Sequence, residues 1–178
     1  MMEHLERVSR TVVAEGSIIK FCKDHIKLPN GNEADWDFCE HKKGGAAAVL
    51  PIDADGNVIL VRQFRASVDR YTLEIPAGGR EEGDTFFECA YRELIEETGY
   101  RCEELKHLVD IYSAVGFCDE MVSIYLAENL IEDQMHLDED EFIEIERFAL
   151  DEVVKMIFNG TIKDSKTVSA IMAYKALR

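Results

Sequence analysis

An α+β fold is what this 178-residue sequence predicts, and three observations carry that reading. Residues 8–42 hold strand-like runs and turn signals with no helical periodicity. The segments that follow mix strands and helices without regular βα alternation, which disfavours a doubly wound parallel sheet. Two helix-period segments then close the chain, separated by Asn159-Gly160.

Taken in order, Val8–Glu15 and Ser17–Leu28 read as strands, and the PNGN run at 29–32 is a turn before a third strand at Ala34–His41. These make a small antiparallel meander with no helix of its own, so it needs a further surface to cover. The AAAVLPI run at 46–52 is a buried strand, DADGN at 53–57 a hairpin turn, and VILVRQFR at 58–65 the returning strand. Tyr71–Ile75 is another strand, interrupted by PAGG at 76–79. A helix spans Thr85–Thr98 and stops at Gly99, whose freedom to adopt positive φ suits a helix C-terminus. Strands are expected at His107–Ser113, Met121–Ala127 and Ile143–Ala149, and the closing helices at Leu150–Phe158 and Ser165–Leu177. The domain reading is a meander over 1–43 and a main domain over 44–178.

Apolar residues make up 47% of the chain, enough for a sizeable core, while 20 basic against 36 acidic side chains give a net charge of −16. That balance argues against nucleic acid or an anionic membrane as main partner. The five cysteines lack metal-type spacing and read as reduced core residues of a cytoplasmic protein. The N-terminal MMEHLERVSR has charges where a secretory signal would be apolar, and no run is long enough to span a bilayer.

The helix at 85–98 poses the chemical question. Phe86, Phe87, Ala90, Tyr91, Leu94 and Ile95 form its apolar face, and Glu93, Glu96 and Glu97 gather away from it. Like charges at this spacing repel, and only Arg92 stands ready to pair, with Glu88 or Glu96. A solvated face is one reading. A hard divalent cation such as Mg²⁺ or Mn²⁺ is the other, because carboxylate oxygens are its preferred ligands.

The order from Gly78 through Asp84 to Arg92-Glu93-Leu94-Ile95-Glu96-Glu97-Thr98-Gly99-Tyr100 resembles the signature box of the Nudix hydrolases. It departs at Asp84, where the family has glutamate, and at Tyr100, where an aliphatic residue is usual. The resemblance implies a Nudix-type mixed β-sheet sandwiched between helices and a Mg²⁺ (or Mn²⁺) site. In that site Glu93 and Glu97 are the main ligands, Glu96 is a third or outer ligand, and the Ala77 carbonyl completes the set. Gly78 permits close backbone approach, Arg92 braces the helix, and Asp84 caps it or serves as an outer ligand.

The runs AVLPID, LVRQFR, TLEIPAGG and GFCDE further resemble the ADP-ribose pyrophosphatase branch. This likeness implies cleavage of the pyrophosphate bond in a nucleoside diphosphate sugar, with Arg65 and Glu74 shaping the substrate site. Arg62 joins them only if the strand bends near Gln63-Phe64, since a spacing of three puts it on the opposite face of a regular strand. By the same likeness Glu141, helped by Glu139, is the general base or a metal-water ligand. The meander resembles a unit whose strands swap across a homodimer, with Trp36 or Phe38 stacking on the nucleobase. Val115 stands where members acting on ADP-ribose usually have proline, which keeps other nucleotide sugars such as GDP-mannose, or dinucleotides, in view. A silent sensor of nucleotide sugars is the non-enzymatic alternative.

Overall fold

The computed structural model describes residues 4–137 and 141–178, and the chain divides into two compact units. One comprises residues 1–45 and 112–121, the other residues 46–111 and 122–178. In the first, β1 (Glu6–Glu15), β2 (Ile19–Lys27) and β3 (Glu33–His41) form an antiparallel sheet in the order β1-β2-β3. This is the expected meander, with its turn at the PNGN run. Residues 112–121 join it because Cys39 bridges Cys118 in parallel fashion, its N–H donating to the Phe117 carbonyl. Arg10 anchors the sheet, gripping Asp24 at 2.6 and 2.7 Å and lying 3.9 Å over the Phe38 ring.

The second unit contains β4 (Gly45–Pro51), β5 (Asn57–Arg65), β6 (Arg70–Glu74), β7 (Ala77–Gly79) and α1 (Phe86–Thr98). It continues through β8 (Tyr100–Arg101), β9 (Leu105–Tyr112), β10 (Met121–Ala127), β11 (Ile131–Glu132), β12 (Glu144–Ala149), α2 (Leu150–Phe158) and α3 (Ser165–Ala176). One sheet runs β7-β4-β10-β9, another β12-β5-β6, and β11 and β8 form a small pair.

The Asp53 turn behaves differently from the expected hairpin. Ile52 and Val58 form only an isolated bridge, after which β4 and β5 enter different sheets. The physical reason is burial on both faces: Ala47 to Leu50 and Val58 to Val61 are all fully buried. Continuous apolar runs of this kind serve as central strands of two layers better than as one two-stranded ribbon. Leu50, Leu60, Leu73, Ile124, Val153 and Ile171 share one core, joining both sheets to α2 and α3. Ala47 and Val49 face a second core with Cys89, Ala90 and Leu94 of α1. The β4 sheet is thus covered by α1 on one side and by the first core on the other, the α+β sandwich that the sequence predicts.

Candidate active site

α1 is set at both ends by local chemistry. Thr85 is its N-cap and Glu88 closes the capping box, so the capping role offered to Asp84 falls to its neighbour. Asp84 instead accepts from the Glu81 N–H at 3.1 Å and lies 3.7 Å from Arg92. Glu88, engaged with Thr85, does not pair with Arg92 either. Gly99 ends the helix in the left-handed region at φ 65°, donating to the Ile95 carbonyl.

The acidic face is solvated only in part: Glu96 is half-buried and bound to Arg92, whereas Glu93 is 5% exposed and Glu97 2%, so the solvated-face reading does not hold for these two. The reason is Gly78: a Cβ there would meet the Glu93 carboxylate at 2.1 Å, so the strand's missing side chain makes the space that this carboxylate fills. Glu97 accepts from the Ala77 N–H at 3.0 Å. Arg92 binds Glu93 at 2.8 Å, Glu96 at 2.9 Å and the Gly79 carbonyl at 3.1 Å, tying the helix to β7.

Burial raises Glu93 to about 7, with repulsion from Glu96 and Glu141 adding to it. Burial raises Glu97 to about 8, helped by repulsion from Glu93 and Glu141. Both carboxyls are thus held above the range of water-exposed glutamates by burial and mutual repulsion, a strain that a bound divalent cation would relieve. The donor set therefore fits a hard cation. Among the described residues no group of three or more His, Cys, Asp or Glu side chains is already gathered as a metal cage.

A cavity of about 920 Å³ is lined by Arg62, Phe64, Arg65, Tyr71, Glu141 and Phe142, among others. Both arginines reach it although β5 keeps an unbroken register with β6 from Val61 to Arg65, so no bulge is needed. Arg62 pairs with Glu146 across the β5–β12 ladder. Arg65 is gripped by Glu74 through Nε at 2.8 Å and Nη2 at 2.7 Å. Glu141 is half-buried and lines this cavity, and its charge adds to the upward shift of both Glu93 and Glu97. Glu139 lies outside the described residues. Trp36 is exposed on β3 of the other unit, and Phe38 is covered by Arg10.

Sequence reasoning named Arg65 and Glu74 but passed over several residues around them. Glu74, 2% exposed, also accepts from the Thr72 hydroxyl at 2.6 Å and from Lys166, and together with Arg65 these hold it down at about 2 despite burial. Thr72 was signalled by its place two residues from Glu74, on the same strand face. Lys166 was signalled by a basic residue in the first turn of a helix. Phe64 and Tyr71, paired edge to face across β5–β6, and Phe142 are exposed aromatics around the same cavity.

The comparisons with known proteins agree with this geometry. The chain is 37% identical to the ADP-ribose pyrophosphatase of Bacillus subtilis (strain 168) over 174 residues, covering 96% of this chain and 93% of that one. It is also 37% identical to the methanol dehydrogenase activator of Bacillus methanolicus over 161 residues, covering 89% and 86%. A crystal structure titled as an ADP compounds hydrolase superposes with a TM-score of 0.86 over 99% of this chain and 95% of that one, at 20% identity, and so shares its fold. The NUDIX domain model matches residues 42–170, a span that includes Gly78, all of α1 and both cavity arginines, and the chain belongs to the Nudix family.

Proposed function

We propose that the protein hydrolyses the pyrophosphate bond of nucleoside diphosphate sugars, ADP-ribose foremost, giving AMP and ribose 5-phosphate. The observation that carries this reading is Glu141. It lines a cavity with Arg62 and Arg65, groups suited to a diphosphate, and is electrostatically coupled to Glu93 and Glu97, groups suited to a divalent cation. The activity printed for the Bacillus subtilis relative supports the same substrate class.

In this reading Glu93 and Glu97 hold Mg²⁺ or Mn²⁺, with Glu96 and the Ala77 carbonyl completing the shell. The metal supplies charge neutralisation and acidification of water. Glu141, with Glu139, takes the proton from the attacking water. Arg65 orients the diphosphate and Arg62 assists, so local positive charge offsets the repulsion expected from a chain of net charge −16. Gly78 keeps the backbone close to the helix, and Arg92 holds Glu96 and Glu93 in register.

We assign residues 44–178 to hydrolysis and 1–43 to a homodimer with swapped N-terminal strands, acting in the cytoplasm, with Trp36 offered to the nucleobase. β1 supports the dimer, because it is an edge strand with Val8, Val12 and Val13 exposed. A monomer in light scattering would remove this assignment. Among the described residues no helix is long and apolar enough to cross a membrane.

Val115 favours a second substrate within the class, GDP-mannose or a dinucleotide. The test is a panel of ADP-ribose, GDP-mannose, NADH and diadenosine polyphosphates with Mg²⁺, read as kcat/KM. ADP-ribose should lead or fall within about 100-fold of the leader, equivalent to about 3 kcal/mol in transition-state binding. Inert ADP-ribose beside rapid polyphosphate hydrolysis would overturn the substrate class. No turnover of any substrate would favour a sensor or an activator of another enzyme, the role printed for the Bacillus methanolicus relative.

A further inference from the structure

We infer that Lys166 is a positioning residue for substrate binding: from the first turn of α3 it holds Glu74, so that Glu74 can aim Arg65 without cancelling its charge. The inference rests on the proposed role of Arg65 toward the diphosphate.

Lys166 is misplaced for a residue serving its own helix. It is the second residue of α3, where the helix dipole disfavours a cation, and the first turn contains no acidic residue. Local rules broken in this way call for a compensating contact elsewhere. That contact is Glu74, and the ammonium also lies 3.1 Å from Asp164. The junction is closely hydrogen-bonded. Asp164 caps α3 by accepting from the Thr167 N–H at 3.0 Å and from its hydroxyl at 2.6 Å, and the same hydroxyl accepts from the Ile75 N–H at 2.9 Å. The run Asp164-Ser165-Lys166-Thr167 thus clamps the strand end that carries Glu74.

Glu74 meets Arg65 through the Nε–Nη2 edge, so the Nη1 corner of the guanidinium points away from it. A lone Arg65–Glu74 pair is neutral and would present little field to a phosphate. With Lys166 on the same carboxylate, Arg65 keeps charge to offer. Asp164 faces Lys166 from the other side, but its carboxylate is already engaged by the amide and hydroxyl of Thr167 at the helix start, where a negative charge is favoured.

The test compares wild type, K166M, K166R and E74Q/K166M on ADP-ribose with Mg²⁺. Wild-type turnover by itself decides the proposed function. The ratio of each variant to wild type, on whichever panel substrate is turned over, decides the role of Lys166. K166M should raise KM about tenfold, the scale of one charge-assisted hydrogen bond, with kcat within about threefold. K166R should recover most of that loss, and in the E74Q background K166M should add little. An unchanged KM in K166M, a K166R as impaired as K166M, or full additivity with E74Q would each overturn the inference. A fall in Tm and kcat at constant KM would do so as well, by reducing Lys166 to a structural role. If K166M folds poorly, K166Q keeps a donor without the charge and is read in the same way.

Discussion

Glu97 and Glu74 are equally hidden, each 2% exposed, yet burial has opposite outcomes for them. Glu97 is pushed up to about 8 and Glu74 is held down at about 2. The difference lies in what surrounds each carboxylate. Glu97 receives one backbone N–H and a smaller pull from the more distant Lys166, and faces Glu93 and Glu141, two further acids. Glu74 receives a guanidinium, an ammonium and a hydroxyl. One group has too little positive charge around it and the other has enough. A buried charge without compensation costs several kcal/mol, so it persists where function supplies the missing partner. On the proposed reading Glu97 is the place for a cation from solution, and Glu74 is a fixture that orients an arginine.

The sharpest way to break this comparison is Glu97→Gln. If Glu97 is a metal ligand, turnover should fall about 1,000-fold, consistent with the several kcal/mol of charge stabilisation that a catalytic metal supplies. The fold should survive, because the amide replaces a buried carboxyl whose ionised form is repelled by its neighbours. In wild type the folded state keeps a proton on Glu97 up to about 8, whereas the unfolded chain releases it near 4.5. The metal-free protein should thus lose stability as pH rises through that window, and Mg²⁺ should raise its Tm more at pH 8 than at pH 6. Metal-free E97Q should melt above wild type at pH 8 and converge with it near pH 5. Near-normal kcat, or a pH-independent melting difference, would remove the metal assignment.

Glu74→Gln tests the other half. Its lowered pKa contributes stability that is present above about 4.5 and lost as pH falls toward 2, and at neutral pH this is of the order of 3 kcal/mol. E74Q should therefore unfold at lower denaturant than wild type at pH 7, with the gap closing near pH 2–3. KM for ADP-ribose should rise about tenfold as Arg65 loses its two-point grip. A variant as stable as wild type at pH 7 would mean that the cluster is no fixture.

Much of this contrast was legible in the residues themselves. The helix end at Gly99, the meander and most strand boundaries followed from turn residues and periodicity. The crowding of Glu93, Glu96 and Glu97 on one helix face marked the candidate site. What the sequence hid was depth. A helical wheel locates a face but not the glycine strand over it, so the burial of Glu93 against Gly78 came only with the packing of β7 on α1. The separation of β4 and β5 into two sheets was hidden for the same reason, since a turn signal does not state which neighbours the flanking strands will choose. Lys166 lies 92 residues from Glu74, and no local pattern connects positions that far apart.

The smallest expected effect comes from the other unit and serves as a control on the comparison. Val115 is 80% exposed and follows Ala114, whose carbonyl accepts from the Phe117 N–H at 3.1 Å. It therefore occupies the second position of a four-residue turn, where the fixed φ of proline is favoured. Val115→Pro should be accepted there and should stabilise the protein by about 0.4–1 kcal/mol, through a stiffer unfolded chain. Its effect on the response of Tm to pH and Mg²⁺ should be nil, because it touches neither group of buried glutamates. Preference should shift toward ADP-ribose over GDP-mannose by about threefold to tenfold, the lower end of what one altered substrate contact contributes. The measurement is the ratio of the two kcat/KM values in each protein. An unaltered ratio with raised Tm would make Val115 a turn residue alone, and a changed Mg²⁺ response would show that the carboxylate groups do not govern metal binding by themselves.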